Sequence, residues 1–327
     1  MMNLTKMTFI MKNITTNLFR KKKTKMEKQN WNPMPIVSTK PDLPSCKQPK
    51  DDCEITDING YNRSMSCSLI DKIFFMDKID TDIDTIVDYG CADGSLVRFL
   101  ANIFPDITYC GYDNNTDMIN IAESQNRNGS GIKFCKQLNE LRDYLNNYHH
   151  PTKTAVLLSS VIHEVYSYSK EEDIDQFWKF ITSESHFKYI IIRDMCLDDS
   201  AHRPSLKEDV FKIKSRYDKA MLDEFERVSG SITDNYNLIH FLMKYRYKDN
   251  WKREVNENYL PLSIEQISRH IDGYSLIYYD HYILPYLQHV VQRDFGITLK
   301  DYTHVKMIFK ANSDFADYNK DVQEFCK

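Results

Sequence analysis

Three groups of residues have types and spacing suited to chemistry. The first is Ile86-Val87-Asp88-Tyr89-Gly90-Cys91-Ala92-Asp93-Gly94. An apolar run ends at an acid, small residues follow at every second position, and a helix-like segment begins at Ser95. Glycine lets the backbone turn tightly and approach a ligand closely. The pattern therefore reads as a strand, a tight turn and a helix N-terminus, the arrangement that holds nucleotide-like cofactors. The second group is Cys110-Gly111-Tyr112-Asp113, with Asp113 lying 23 positions after Gly90. An acid near that offset, at the end of the next strand, accepts from both ribose hydroxyls. Its plainer role is to cap the following helix, which Asn115 or Thr116 would do equally well. The third is Ser159-Ser160-Val161-Ile162-His163-Glu164. Histidine titrates near neutrality, so His163 is a candidate general base. The plainer reading is a ring that packs a helix on a sheet and bonds a backbone group.

These groups need elements to position them. Short, apolar, β-branched runs alternate with helical patterns: strands are expected at Thr85–Tyr89, Ile107–Tyr112, Ile132–Cys135, Thr154–Ser159 and Tyr189–Arg193. Helices are expected at Ser95–Ile103, Thr116–Gln125, Leu138–Leu145 and Ile174–Ile181, with an earlier one over Ser68–Met76. Such alternation means an α/β fold with a doubly wound, mostly parallel sheet. From about Ser205 to Asn258 the chain reads as helical, charged and aromatic. Leu206–Val228 reads as one helical run and Tyr236–Tyr245 as a second. Strand-like Tyr274–Ile283 and Thr303–Ala311 close the pattern, with an amphipathic helix over Pro285–Phe295 between them.

The beat of the glycine turn separates cofactors. A dinucleotide turn, G-x-G-x-x-G, needs its third glycine at position 95, which is Ser. The pattern Asp88-x-Gly90-x-Ala92-x-Gly94 instead resembles the first motif of class I S-adenosylmethionine (SAM)-dependent methyltransferases. The resemblance spans roughly residues 66–311. It implies a seven-stranded sheet in the order 3-2-1-4-5-7-6, strand seven antiparallel, with a helical insertion after strand five. That insertion, over about 200–262, would be a substrate lid. The implied cofactor is SAM, bound by Asp88, Gly90, Cys91, Ala92, Gly94, Asp113, Asn114, Gln137 and Ser159. Asp88 would reach its amino group and Asp113 its ribose. The family often places an acid after strand three to hold adenine; Gln137 and Asn139 stand there instead. Ser159 and Ser160 would face the methyl group, with Ser160, His163 and Glu164 as catalytic candidates. No N-P-P-Y or Pro-Cys pair follows strand four, which disfavours base-amine and cytosine C5 methylation. Arg193-Asp194-Met195 after strand five would face the substrate mouth or form a surface turn. Tyr278, Tyr279, His281 and Tyr282 would line the cleft or pack in the core. The implied acceptor is a small molecule or an RNA. A catalytically silent partner subunit of the same fold, and a nicotinamide-dependent oxidoreductase, are the rival readings.

Bulk properties set the outer bounds. The 327 residues, 42% hydrophobic, suffice for a substantial core. A net charge of -4 makes no whole-chain electrostatic case for nucleic acid. The eight cysteines form no C-x-x-C pair, which leaves zinc little support and suggests a reducing compartment. No uncharged apolar run is long enough for a membrane span. Residues 1–26 are basic, with no acid before Glu27, and prolines cluster between Pro33 and Pro49. Residues 1–65 therefore read as a disordered extension, and 312–327 as a tail. A mitochondrial presequence shares the basic, acid-poor composition, but the expected location is the cytoplasm.

Overall fold

The computed structural model describes residue 55 and residues 68–126, 131–148 and 150–312. The expected extension over 1–65, Ile55 apart, and the tail beyond 312 lie outside them. A short helix, α1 (Leu69–Lys72), precedes the first strand. Strand and helix then alternate through β1 (Thr85–Tyr89), α2 (Ser95–Ile103), β2 (Thr108–Tyr112), α3 (Thr116–Gln125), β3 (Ile132–Cys135) and α4 (Leu138–Tyr148). They continue through β4 (Thr154–Ser159), α5 (Ile162–Tyr168), α6 (Glu171–Lys179) and β5 (Tyr189–Met195). Five helices follow: α7 (Lys207–Arg216), α8 (Lys219–Ser229), α9 (Asn235–Lys244), α10 (Trp251–Asn256) and α11 (Ile264–His270). The chain ends in β6 (Tyr274–Tyr282), α12 (Pro285–Phe295) and β7 (His304–Ala311).

The sheet order is β3-β2-β1-β4-β5-β7-β6. Strands β1 to β5 pair in parallel, and β7 runs antiparallel to both β5 and β6. This is the expected fold class. Every residue of β1 and β4 is buried, because helices cover both faces of the sheet. Successive side chains point to opposite faces. On one face Val87, Val156 and Ile190 pack with Phe177 and Phe180. On the other, Ile86, Ala155 and Ile191 pack with Val97, Leu100 and Ile119. A third cluster lies under the helical insertion, where Phe225, Phe241 and Val255 meet Val291 and Phe295 of α12.

Three expectations change. The helical run over Leu206–Val228 breaks at Tyr217, whose backbone is extended. There Asp218 accepts from the Met221 N–H and starts a new helix. The periodicity carried across the break because Tyr217 is buried like its helical neighbours. The helix expected over Ser68–Met76 is regular only over its first turn, and Phe75 turns into the core. Finally, β5 runs two residues past Arg193, so Arg193, Asp194 and Met195 belong to a strand and not to a surface turn.

Candidate functional site

Strand order reverses between β1 and β4, and ligands of open α/β sheets bind beyond the carboxyl ends at such a point. Register places the key residues there: Asp88 stands opposite Gly111, and Tyr89 opposite Tyr112. The turn after β1 is tied to β2, since the Gly90 and Cys91 N–H groups both donate to the Tyr112 carbonyl (2.7 and 2.9 Å). Gly90 has φ +78°, and a Cβ there would lie 2.5 Å from Val161 Cγ2. Gly94 has φ +71° and caps α2; its Cβ would meet the Phe134 ring at 2.7 Å. Gly90 is thus needed where the turn passes the start of α5, and Gly94 where a helix packs on the sheet.

Asp113 is bound into the same turn. Its Oδ2 accepts from the Ala92 N–H and its Oδ1 from the Asn115 N–H, both at 2.8 Å. Asn115 caps α3, accepting from Asp117 and Met118. Asp113 is therefore free of the capping role.

A cavity of about 570 Å³ opens over this turn, within the size range of cofactor sites. Asp88, Gly90, Cys91, Ala92, Asp113, Asn114, Ser159, Ser160 and Glu164 line it. Gly94 and Gln137 do not; Gln137 is exposed, while Leu138 and Met118 lie on the wall. The sequence reading missed Lys72, which is only 5% exposed and lines the cavity. Its ammonium forms no hydrogen bond among the described residues. The available signal was a lysine inside the apolar run Leu69–Met76.

Burial dominates the electrostatics of this cavity. It pushes the Asp88 carboxyl up, against the pull of Lys72 and with help from Asp113. It pushes Lys72 down, an effect Arg193 reinforces and Asp88 opposes. Asp113 rises to about 6 for the same reason, although the Asn115 and Ala92 N–H groups favour its charge.

Next to this cavity lies a cluster of charges beneath the helical insertion. Asp194 Oδ2 accepts from the Val161 and Ile162 N–H groups at the start of α5 (3.1 and 2.8 Å). Its Oδ1 meets His163 Nδ1 at 2.7 Å. The other His163 nitrogen faces Glu257 Oε1 at 3.1 Å. Glu257 also accepts from Tyr168 (3.0 Å) and pairs with Arg253 (3.2 Å), and Arg253 reaches Glu164 at 3.3 Å. Lys244 donates to the Glu254 and Glu257 carbonyls. Burial works against a charge on His163, but Asp194 and Glu257 outweigh it and push its pKa to about 10. His163 is therefore a cation held between two carboxylates at neutral pH. His163, Glu164 and Glu257 offer atoms within 4.8 Å of one another, the spacing of a metal site, but the Arg253 guanidinium already bridges the two carboxylates.

A second, smaller cavity of about 110 Å³ is lined by His163, Arg193, Met195, Met243, Tyr259 and Tyr286 among others. The two cavities share Ser160, Glu164 and Arg253. Ser160 has φ +62°, outside the usual range for a residue with a side chain. Arg193 pins it there: the Ser160 N–H donates to the Arg193 carbonyl (2.7 Å), and Arg193 Nη1 donates to Ser160 Oγ (3.0 Å). Arg193 is buried and also pairs with Asp71. The strand-six aromatics lie elsewhere. Tyr282 donates to Asp71, Tyr278 packs near Phe74, Tyr279 is exposed, and His281 meets the Cys196 carbonyl. None of them lines either cavity.

No family model and no curated protein matches the sequence. Solved structures do resemble it. A SAM-dependent methyltransferase from Anabaena variabilis has 11% identity and a TM-score of 0.43, over 80% of this chain and 98% of that one. One from Archaeoglobus fulgidus has 12% identity and a TM-score of 0.41, over 78% and 100%. The plantazolicin methyltransferase BamL, solved with a substrate analogue and S-adenosylhomocysteine (SAH), has 14% identity and a TM-score of 0.40, over 76% and 85%. This chain's own strand order, with β7 reversed, is the one that the resemblance to class I methyltransferases implies. No described helix is long and apolar enough to cross a membrane.

Proposed function

We propose that the protein transfers a methyl group from SAM to a small-molecule or RNA acceptor. One observation carries the reading: a buried acid, Asp88, and a half-buried one, Asp113, stand at the carboxyl ends of adjacent strands in a cavity of cofactor size. Burial holds both above the usual carboxylate range, so each gains from a ligand that donates to it. SAM fits this demand and that of Lys72. Asp88 would hold its ammonium, Lys72 its carboxylate, and Asp113 its ribose hydroxyls, by charge-assisted hydrogen bonds. Met118 and Leu138 on the cavity wall would hold the adenine, with Asn114 rather than Gln137 as its polar neighbour. When bound, SAM supplies a sulfonium-activated methyl group.

The chain's own residues then align the acceptor. Ser160, where the two cavities meet, marks the place of transfer, and the smaller cavity receives the acceptor group. The helices over about 200–262 act as its lid. Alignment alone can supply effective molarities of roughly 10⁵ M or more, so in-line attack needs little further help. His163 is a positioning residue here. A cation between Asp194 and Glu257 has no acceptor nitrogen for a proton. Glu164, on the wall of both cavities, is the candidate base for acceptors that must lose one.

The reversed β7 and the serine at position 95 favour this reading over a nicotinamide enzyme. Calorimetric titration of the full chain with SAM, SAH and NADH tests it. Micromolar SAH binding that Asp113→Ala abolishes is the expected result. NADH binding without SAH binding would overturn it. Turnover of no acceptor in small-metabolite or RNA pools, with SAH binding intact, would favour the silent partner subunit.

A further inference from the structure

A third concavity, of about 260 Å³, is lined by residues of the insertion and of α12. Arg216, Arg246, Lys248 and Asp294 line it, with Tyr217, Tyr245 and Phe295. The one acid is already engaged. Asp294 accepts from Arg293 (2.6 and 3.0 Å) and from the Tyr245 hydroxyl (2.7 Å). The three cations are not engaged in that way. None of them pairs with a carboxylate among the described residues. Arg216 reaches only the Asp294 main-chain carbonyl (3.4 Å), and Lys248 lies over the Tyr217 ring, 5.0 Å from its centroid. Arg246 stacks on Tyr286, 5.2 Å from the ring centroid, and donates to its hydroxyl. All three side chains are exposed, so each can move onto a ligand.

Arg246 is the link, because it lines both this concavity and the smaller cavity. An anion held at the three cations would therefore sit beside whatever occupies the smaller cavity. The space is below the roughly 300 Å³ of a complete small-molecule site, which suits a subsite for part of a larger ligand. Three unpaired cations exceed the single charge of a carboxylate. They match a phosphate group, with its charge of about -1.5 to -2 as a monoester and three acceptor oxygens.

We propose that Arg216, Arg246 and Lys248 form a phosphate-binding subsite, and that the acceptor carries a phosphate ester next to the group that is methylated. The second half rests on the methyltransferase reading; the anion site does not. The test uses the full chain with two probes, inorganic pyrophosphate and a short fluorescent oligouridylate, and a parallel SAH titration. The wild type is expected to bind at least one probe at low salt. The double variant R216A/K248A should lose at least about tenfold in that affinity, with SAH binding and thermal unfolding unchanged. Its slope of log K against log salt for the oligonucleotide should flatten by about 0.7 per cation removed. If pyrophosphate binds and displaces the oligonucleotide, an isolated phosphate suffices. Binding of the oligonucleotide alone points to a phosphodiester chain. No binding of either probe by the wild type, or equal binding by the double variant, would overturn the proposal. Phosphate binding without SAH binding would leave the subsite standing and remove the cofactor reading.

Discussion

The cleft over β1 and β2 and the charge cluster beneath the insertion are both crowded with buried ionisable groups, but only one of them is neutralised from within. In the cluster the charges around His163 and Arg253 meet opposite ones. His163 lies between Asp194 and Glu257, and Arg253 joins Glu257 to Glu164. Burial there is offset by the partners, which push His163 up to about 10 and hold Glu257 low. In the cleft, Asp88 and Asp113 are pushed the other way, and Lys72 lacks a hydrogen-bonded partner. Groups satisfied by their neighbours hold a shape, while groups left wanting a partner are suited to a ligand.

The contrast can be broken most forcefully in the cluster. Glu257→Ala takes one carboxylate partner from each of the buried cations His163 and Arg253, and losing one partner of a buried pair costs about 3–5 kcal/mol. Thermal unfolding should show a drop of that order, with Glu257→Gln milder. An unchanged midpoint would mean that the cluster does not hold the insertion to the core. The matching change in the cleft is Asp88→Asn. It should weaken SAH binding by about ten- to a hundredfold, the worth of a charged hydrogen bond. Its unfolding midpoint should fall far less than that of Glu257→Ala. A midpoint that falls equally would erase the distinction between the two regions.

Lys72→Met sharpens the comparison within the cleft. SAH affinity should fall about tenfold, while 5′-methylthioadenosine, which lacks the amino-acid end, binds as before. Equal losses for both ligands would move Lys72 away from the carboxylate. The smallest effect is in pH. Asp113 titrates at about 6 in the folded chain, above the ~3.9 of an unfolded aspartate. Between those values the folded state binds more protons than the unfolded one, so ligand-free stability falls as pH rises through the window. A ligand that donates to the carboxylate favours its charged form. SAH affinity should therefore rise between pH 5 and 7, by up to about tenfold. Calorimetry and thermal unfolding at matched pH read the two opposite slopes, and parallel slopes would remove Asp113 from the ligand contact.

The cleft was legible in the sequence and the cluster largely was not. Asp88, Gly90, Ala92 and Asp113 stand on one strand–turn–helix unit and the strand beside it, so their spacing alone placed them on one wall. Gln137 was misplaced onto that wall, because the direction a side chain takes after a short strand depends on packing that no pattern records. Lys72 was hidden because a lysine in an apolar run reads as a solvated face. Arg253 and Glu257 lie about 90 positions from His163 and Glu164, and nothing in the local pattern of α10 pairs them.

The sequence by itself determined the α/β alternation, the places of the strands and the turn that gathers Asp88 with Asp113. Each of these follows from short-range periodicity and from the backbone freedom of glycine. The tertiary structure decided where α7 ends, which glycine meets the cavity and which meets Phe134, and that His163 is a bound cation and not a free base. Those outcomes depend on burial and on charges brought together from distant parts of the chain, where a low dielectric magnifies each partner gained or missing.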